Sequence, residues 1–153
     1  MRFFKIKFVL VIIVLAVFVL ESCRKQDEVV PYAPIMPSIR LFSSDPEFFT
    51  LNITSGHLYR EGASRGVLIY RNSIDQSSMQ NNFRVYDRHC PYDVQNPNGI
   101  IHVDSTNNFL AVCHDCKSSF FLYDGSVHIG PAKYPLRAIR NVIWNGDLLE
   151  IWQ

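Results

Sequence analysis

Beyond residue 37 the chain is a series of short apolar and aromatic runs broken by turn residues. "SIRLF", "FFTLNI", "GVLIYR", "NFRVYD", "IIHVD", "FLAVC", "SFFLYD", "VHIG", "NVIW" and "LLEIW" follow one another, rich in β-branched and aromatic residues, and this pattern predicts strands. No helical period stands out past the N-terminal segment. Asp124-Gly125 lies between "FFLY" and "VHIG", and Asn145-Gly146 between "NVIW" and "LLEIW". Each pair supplies the positive φ of a tight hairpin. The second hairpin predicts that Trp144 and Trp152 lie near each other as cross-strand neighbours. Asn98-Gly99 is expected to close a longer loop running from Cys90 to Ile100. With no internal repeat and no low-complexity tract, the pattern predicts one antiparallel all-β domain over residues 38–153.

The first residues follow a different pattern. Arg2, Lys5 and Lys7 precede an uninterrupted apolar stretch, Phe8 to Leu20, too short to span a bilayer as a helix of about 20 residues and suited to an export signal. Leu20-Glu21-Ser22-Cys23 resembles the lipobox of bacterial lipoproteins, with Glu21 an unusual occupant. The resemblance implies a signal peptide over residues 1–22 and lipid attachment at Cys23. The mature chain would then be anchored to a membrane of the cell envelope, expected to be the outer membrane on its periplasmic or surface side. Residues 23–37 are polar and then punctuated by Pro31, Pro34 and Pro37, which predicts an extended, lipidated tether.

Charge narrows the partners. The 153-residue chain carries a formal net charge of +1, and with the signal removed three basic residues and one acid leave, giving about −1. Lys and Arg are scattered among nearly as many carboxylates rather than gathered on a face, which argues against nucleic acid as a partner. No nucleophile elbow, phosphate-cradling glycine loop or paired carboxylates stand in a catalytic frame, and the chain is not expected to be an enzyme.

The cysteines carry the chemistry. After Cys23 there are three, Cys90, Cys113 and Cys116, an odd number that a disulfide framework within one exported chain cannot use up. The C-x-x-C spacing of Cys113 and Cys116 lets both sulfurs face one point, as metal knuckles and redox dithiols require. Cys90 opens "CPYD" directly after a predicted strand, so two loops from adjacent hairpins can converge.

In these features the chain resembles the Rieske domains, in particular the Rieske-like lipoproteins of Bacteroidetes-type bacteria. That family carries Cys-x-His in a first loop and Cys-x-x-His followed by Gly-Ser-x-Phe in a second, with a Gly-Pro-Ala segment covering the cluster. Here Cys90 and Cys113 match the two cysteines, Ser118 and Phe120 the Ser-x-Phe, and Gly130-Pro131-Ala132 the covering loop. Tyr92 stands at the first histidine position, Cys116 at the second, and Lys117 replaces the glycine. The resemblance implies a Rieske-like antiparallel β-sandwich or barrel with hairpin cluster-binding loops. It also implies electron transfer through a 2Fe-2S cluster to a redox or envelope protein partner.

Three readings of the site follow. A 2Fe-2S cluster binds with Cys90 and Cys113 on one iron and Cys116 plus another donor on the second, at a lowered potential. Alternatively, the fold persists without metal in a structural or binding role at the membrane surface, with Cys113 and Cys116 oxidised together or reduced. In the third, a single zinc or iron sits on the three cysteines and a histidine. Tyr92 is the positional match for a further ligand and Asp93 lies beside it. His89 should point to the opposite face from Cys90, and His114 should face outward. His57, His102 and His128 read as ordinary strand or turn residues.

Overall fold

The structure, a computed structural model, describes residues 30–75 and 81–153. The expected signal peptide, the lipidation site Cys23 and the first part of the tether lie outside the described residues. The chain forms β1 (Ile39–Phe42), a 3-10 helix (Pro46–Asn52), β2 (His57–Arg60), β3 (Val67–Arg71), β4 (Phe83–Asp87) and β5 (Ile101–Val103). It continues with β6 (Leu110–Cys113), β7 (Ser119–Phe121), β8 (Val127–Ile129), β9 (Asn141–Trp144) and β10 (Leu148–Trp152). These strands build three antiparallel sheets, ordered β1-β10-β9, β2-β3-β4 and β5-β6-β7-β8. The all-β class expected from the sequence is the class observed.

The sheet β2-β3-β4 contributes to two cores. Val67 and Ile69 of β3 pack with Leu41, Leu149 and Ile151 of the first sheet. Leu68 and Tyr70, on the other face, pack with Ile101, Ala111 and Phe120 of the third. Every residue of β3 is therefore buried. A strand covered on both faces reads as a continuous apolar run rather than an alternating one, which is why "VLIY" shows no period of two. Both glycine hairpins are present. Phe121 N–H donates to Ser126 O (2.9 Å) across the turn at Asp124-Gly125, and Asn145 Oδ1 accepts from Asp147 and Leu148 N–H at 3.0 and 2.8 Å.

Several local expectations are corrected. "FFTLNI" is mostly the 3-10 helix, not a strand. Pro46 stands in its first turn, and its buried residues Phe48 and Leu51 are three apart, the spacing at which a 3-10 helix presents one face. Strand β2, "HLYR", went unread because its residues are all half-buried and lack a marked apolar period. Trp144 and Trp152 do not lie side by side: Trp144 pairs with Leu149, whereas Trp152 pairs with Asn141 at the other end of the hairpin. Trp144 instead stacks on Phe48 at 5.2 Å between ring centroids. Where it is described, the proline-punctuated stretch docks on the domain. Val30 and Ile35 are buried, and the Arg137 guanidinium donates to Val30 O at 2.8 Å.

Candidate metal centre

Two hairpin loops bring the three cysteines together. Cys90 follows β4 by three residues, and its N–H donates to Gly99 O (2.9 Å), so the expected long loop closes where Asn98-Gly99 places the turn. Cys113 is the last residue of β6, paired in register with Ile101. The chain then reverses tightly: Lys117 N–H donates to Cys113 O (2.9 Å) and Cys113 N–H to Ser118 O (2.8 Å). That reversal needs a left-handed residue, and Lys117 takes φ +62° at the position where the resembled family has glycine. Cys116 sits inside the turn. The three sulfurs all lie within 4.8 Å of one another, and Cys90 Sγ is 3.6 Å from Cys116 Sγ. Cys90 and Cys113 are buried, Cys116 half-buried. These three cysteines form a group that can hold a metal ion.

Ser118 supports the group from below. Its hydroxyl, fully buried, lies 3.2 Å from Cys116 Sγ and accepts the Ala132 N–H at 3.1 Å. The Cys116 thiol donates to this oxygen, and once Cys116 is ionised the hydroxyl proton can turn to the sulfur instead. Gly130 takes φ +118°, and a Cβ there would meet Ser118 Cα at 2.5 Å. The Gly130-Pro131-Ala132 segment thus presses its backbone onto Ser118, with Ala132 buried and Pro131 outward.

The thiols are unequal. Burial pushes Cys90 well above the ordinary thiol value, against the Tyr92 N–H, and the thiols of Cys113 and Cys116 add to the rise. At Cys116 burial also opposes ionisation, but the Ser118 hydroxyl and amide, with the two neighbouring thiols, outweigh it and hold Cys116 lowered. A group that stabilises one thiolate among three sulfurs suits cation binding, since the thiolate is the metal-ligating form.

The remaining candidates fall outside the sulfur group. Tyr92 contributes its backbone N–H to Cys90 while its side chain is exposed. Asp93 is exposed and accepts Gln95 N–H at 3.2 Å. His89 faces away, as expected. Its Nε2 lies 3.0 Å from Val94 O, which can only accept, so Nε2 carries the proton and Nδ1 accepts the Ser64 hydroxyl at 2.7 Å. Burial, then the Arg65 charge, lowers the His89 pKa, in keeping with a neutral ring. His114 is exposed, its ring 5.3 Å from that of His102. His102 Nδ1 faces the Arg88 guanidinium at 3.1 Å. His57 is half-buried in β2, and His128 in β8 rests against Phe121 at 4.6 Å.

Three residues that shape the loop carried no sequence signal. Arg65 donates to Val94 O and Gly99 O, both at 3.1 Å, and to Asn96 O, and so gathers the Cys90-to-Ile100 loop around one guanidinium. Asp87, fully buried, accepts the N–H groups of Ser64 (2.9 Å), Arg65 (3.3 Å) and His89 (2.9 Å). Asn96 then ties this loop to the second one through Asp115 at 2.6 Å. Most of these partners are 19 to 34 residues apart, and such pairs cannot be matched by pattern alone. The nearest hint was the polar run Asp87-Arg88-His89 directly before Cys90.

Neither protein-family models nor curated proteins match the chain.

Proposed function

We propose that this is a lipid-anchored protein of the cell envelope that carries a metal centre on Cys90, Cys113 and Cys116. The observation that carries the proposal is the convergence of the three sulfurs, all within 4.8 Å of one another, from two separate loops. Thiols buried without metal or disulfide are ordinary as single residues. Three within 4.8 Å of one another, one lowered by a serine hydroxyl and amide, make up a soft-ligand set that selects Cu(I), Zn or iron–sulfur chemistry. The anchor rests on the lipobox resemblance at Cys23 and would hold the centre at the membrane surface.

The Rieske resemblance supplies the finer reading, a 2Fe-2S cluster that would serve one-electron transfer to an envelope partner. In its favour, Gly130-Pro131-Ala132 lies directly against Ser118 beside the cysteines, the place the resemblance assigns to the covering loop. The donor set fits in part. Cys90 and Cys113 are present for one iron, whereas Tyr92 and Cys116 stand where the two imidazoles would be. The test is metal content of the protein purified from cells and after reconstitution without oxygen. A stoichiometric metal, lost or bound more weakly when any of the three cysteines is replaced by a side chain that offers no ligand, is the expected result. A well-folded protein with three free thiols that takes up no metal would sink the proposal and leave the metal-free domain with a structural or binding role.

A further inference from the structure

The spacing of the sulfurs discriminates between kinds of centre. We infer that the site takes a single thiophilic cation of the Zn²⁺ class, held by all three cysteines, rather than a two-iron cluster; the inference rests on the metal-centre proposal above. Around one ion with metal–sulfur bonds of about 2.3 Å, tetrahedral thiolates lie about 3.8 Å apart. Cys90 and Cys116 are 3.6 Å apart and no pair in the group exceeds 4.8 Å, so three sulfurs can close on one ion with little rearrangement. In a two-iron cluster, terminal ligands on different irons sit at opposite ends of the core, roughly 5.5 Å apart or more. Cys116 would have to lie that far from both Cys90 and Cys113, and it lies nearer to each.

The surrounding donors agree with one ion. His89 is committed to Ser64 and Val94 and His114 is exposed, so no imidazole is presented to a second iron by either neighbour of the cysteines. Cys116 is half-buried, so the group is not sealed from solvent and an ion has a way in. Three protein ligands with one open position are the ligand count of reactive rather than purely structural zinc sites.

The experiment titrates the purified full chain, without oxygen, with Co²⁺ and then Zn²⁺, beside a reconstitution with iron and sulfide. The expected result is one cobalt per chain with intense tetrahedral-type visible absorption and a thiolate charge-transfer band. Zinc should displace the cobalt, and iron, where bound, should enter as one atom without acid-labile sulfide. Cys116→Ser should weaken cobalt binding by about tenfold or more. Cys116→His, which leaves the loop length unchanged, should still bind one cobalt while losing about one third of the charge-transfer intensity, because one of three sulfurs is gone. Two irons and two sulfides per wild-type chain would overturn the single-ion inference while upholding the metal-centre proposal. No uptake of any of these metals by folded protein would overturn both.

Discussion

Gly130 is a residue whose replacement should disturb the cysteine site directly. An added Cβ meets Ser118 Cα at 2.5 Å, and φ is +118°, so Gly130→Ala combines backbone strain with a clash against backbone that cannot swing aside. A cost of about 2 kcal/mol or more is expected. Because Ser118 supports Cys116, the thiols should also react faster with a bulky alkylating reagent. Unchanged melting and unchanged thiol reactivity would remove the covering role of this loop. Asp87 is the second such residue. Its carboxylate accepts three backbone N–H groups, and Asp87→Ala would leave them buried and unpaired at about 1–3 kcal/mol for each group not reached by water. Denaturant titration should record a loss of at least about 2 kcal/mol.

At the scale of elements, the β9–β10 hairpin isolates a turn effect cleanly. Gly146 takes φ +98° and a Cβ there would meet nothing within 4 Å, so the loss in Gly146→Val reflects chiefly backbone conformation. A β-branched residue resists positive φ, and a cost of about 1 kcal/mol or more follows. An unaltered thermal midpoint would contradict the turn geometry. The 3-10 helix makes a converse point. Its residues have strand-forming composition, yet Pro46 and the i, i+3 burial of Phe48 and Leu51 favour a tight turn of helix because both side chains then reach one core. Local propensity gives way where tertiary burial is stronger.

For the whole molecule, mild acid should be destabilising through the histidines. His57, His89 and His102 all have lowered pKa values, each chiefly through burial, with the Arg65 charge adding at His89 and the Arg88 charge at His102. A histidine whose folded pKa lies below its unfolded value of about 6.5 binds protons more readily in the unfolded chain. The stability tied to the neutral rings is therefore present above about pH 6.5 and is lost as pH falls through that value toward the folded pKa values. The thermal midpoint should decline steadily between about pH 7 and pH 5. A midpoint constant over this window would show that the three rings titrate alike in both states.

How much was legible in the sequence follows from the range of the forces involved. Every strand of the three sheets except β2, the two glycine hairpins and the closure at Asn98-Gly99 were readable, because apolar patterning and positive-φ residues act over a few positions. The three cysteines were readable as chemistry, since residue type and C-x-x-C spacing restrict what sulfur can do. Their meeting point was expected from a family resemblance, whereas its dimensions were decided by the tertiary structure. Whether sulfurs lie on one ion's face or across two irons depends on how two loops pack, and the first of them is gathered by Arg65, 29 to 34 residues before the carbonyls it holds. The same holds for Trp144 and Trp152, separated by register, and for Val30 and Ile35, buried by a docking surface that no local pattern announces. Sequence determined the short-range conformations and the available donors; the tertiary fold decided which donors share a site, because only packing converts distant positions into neighbours.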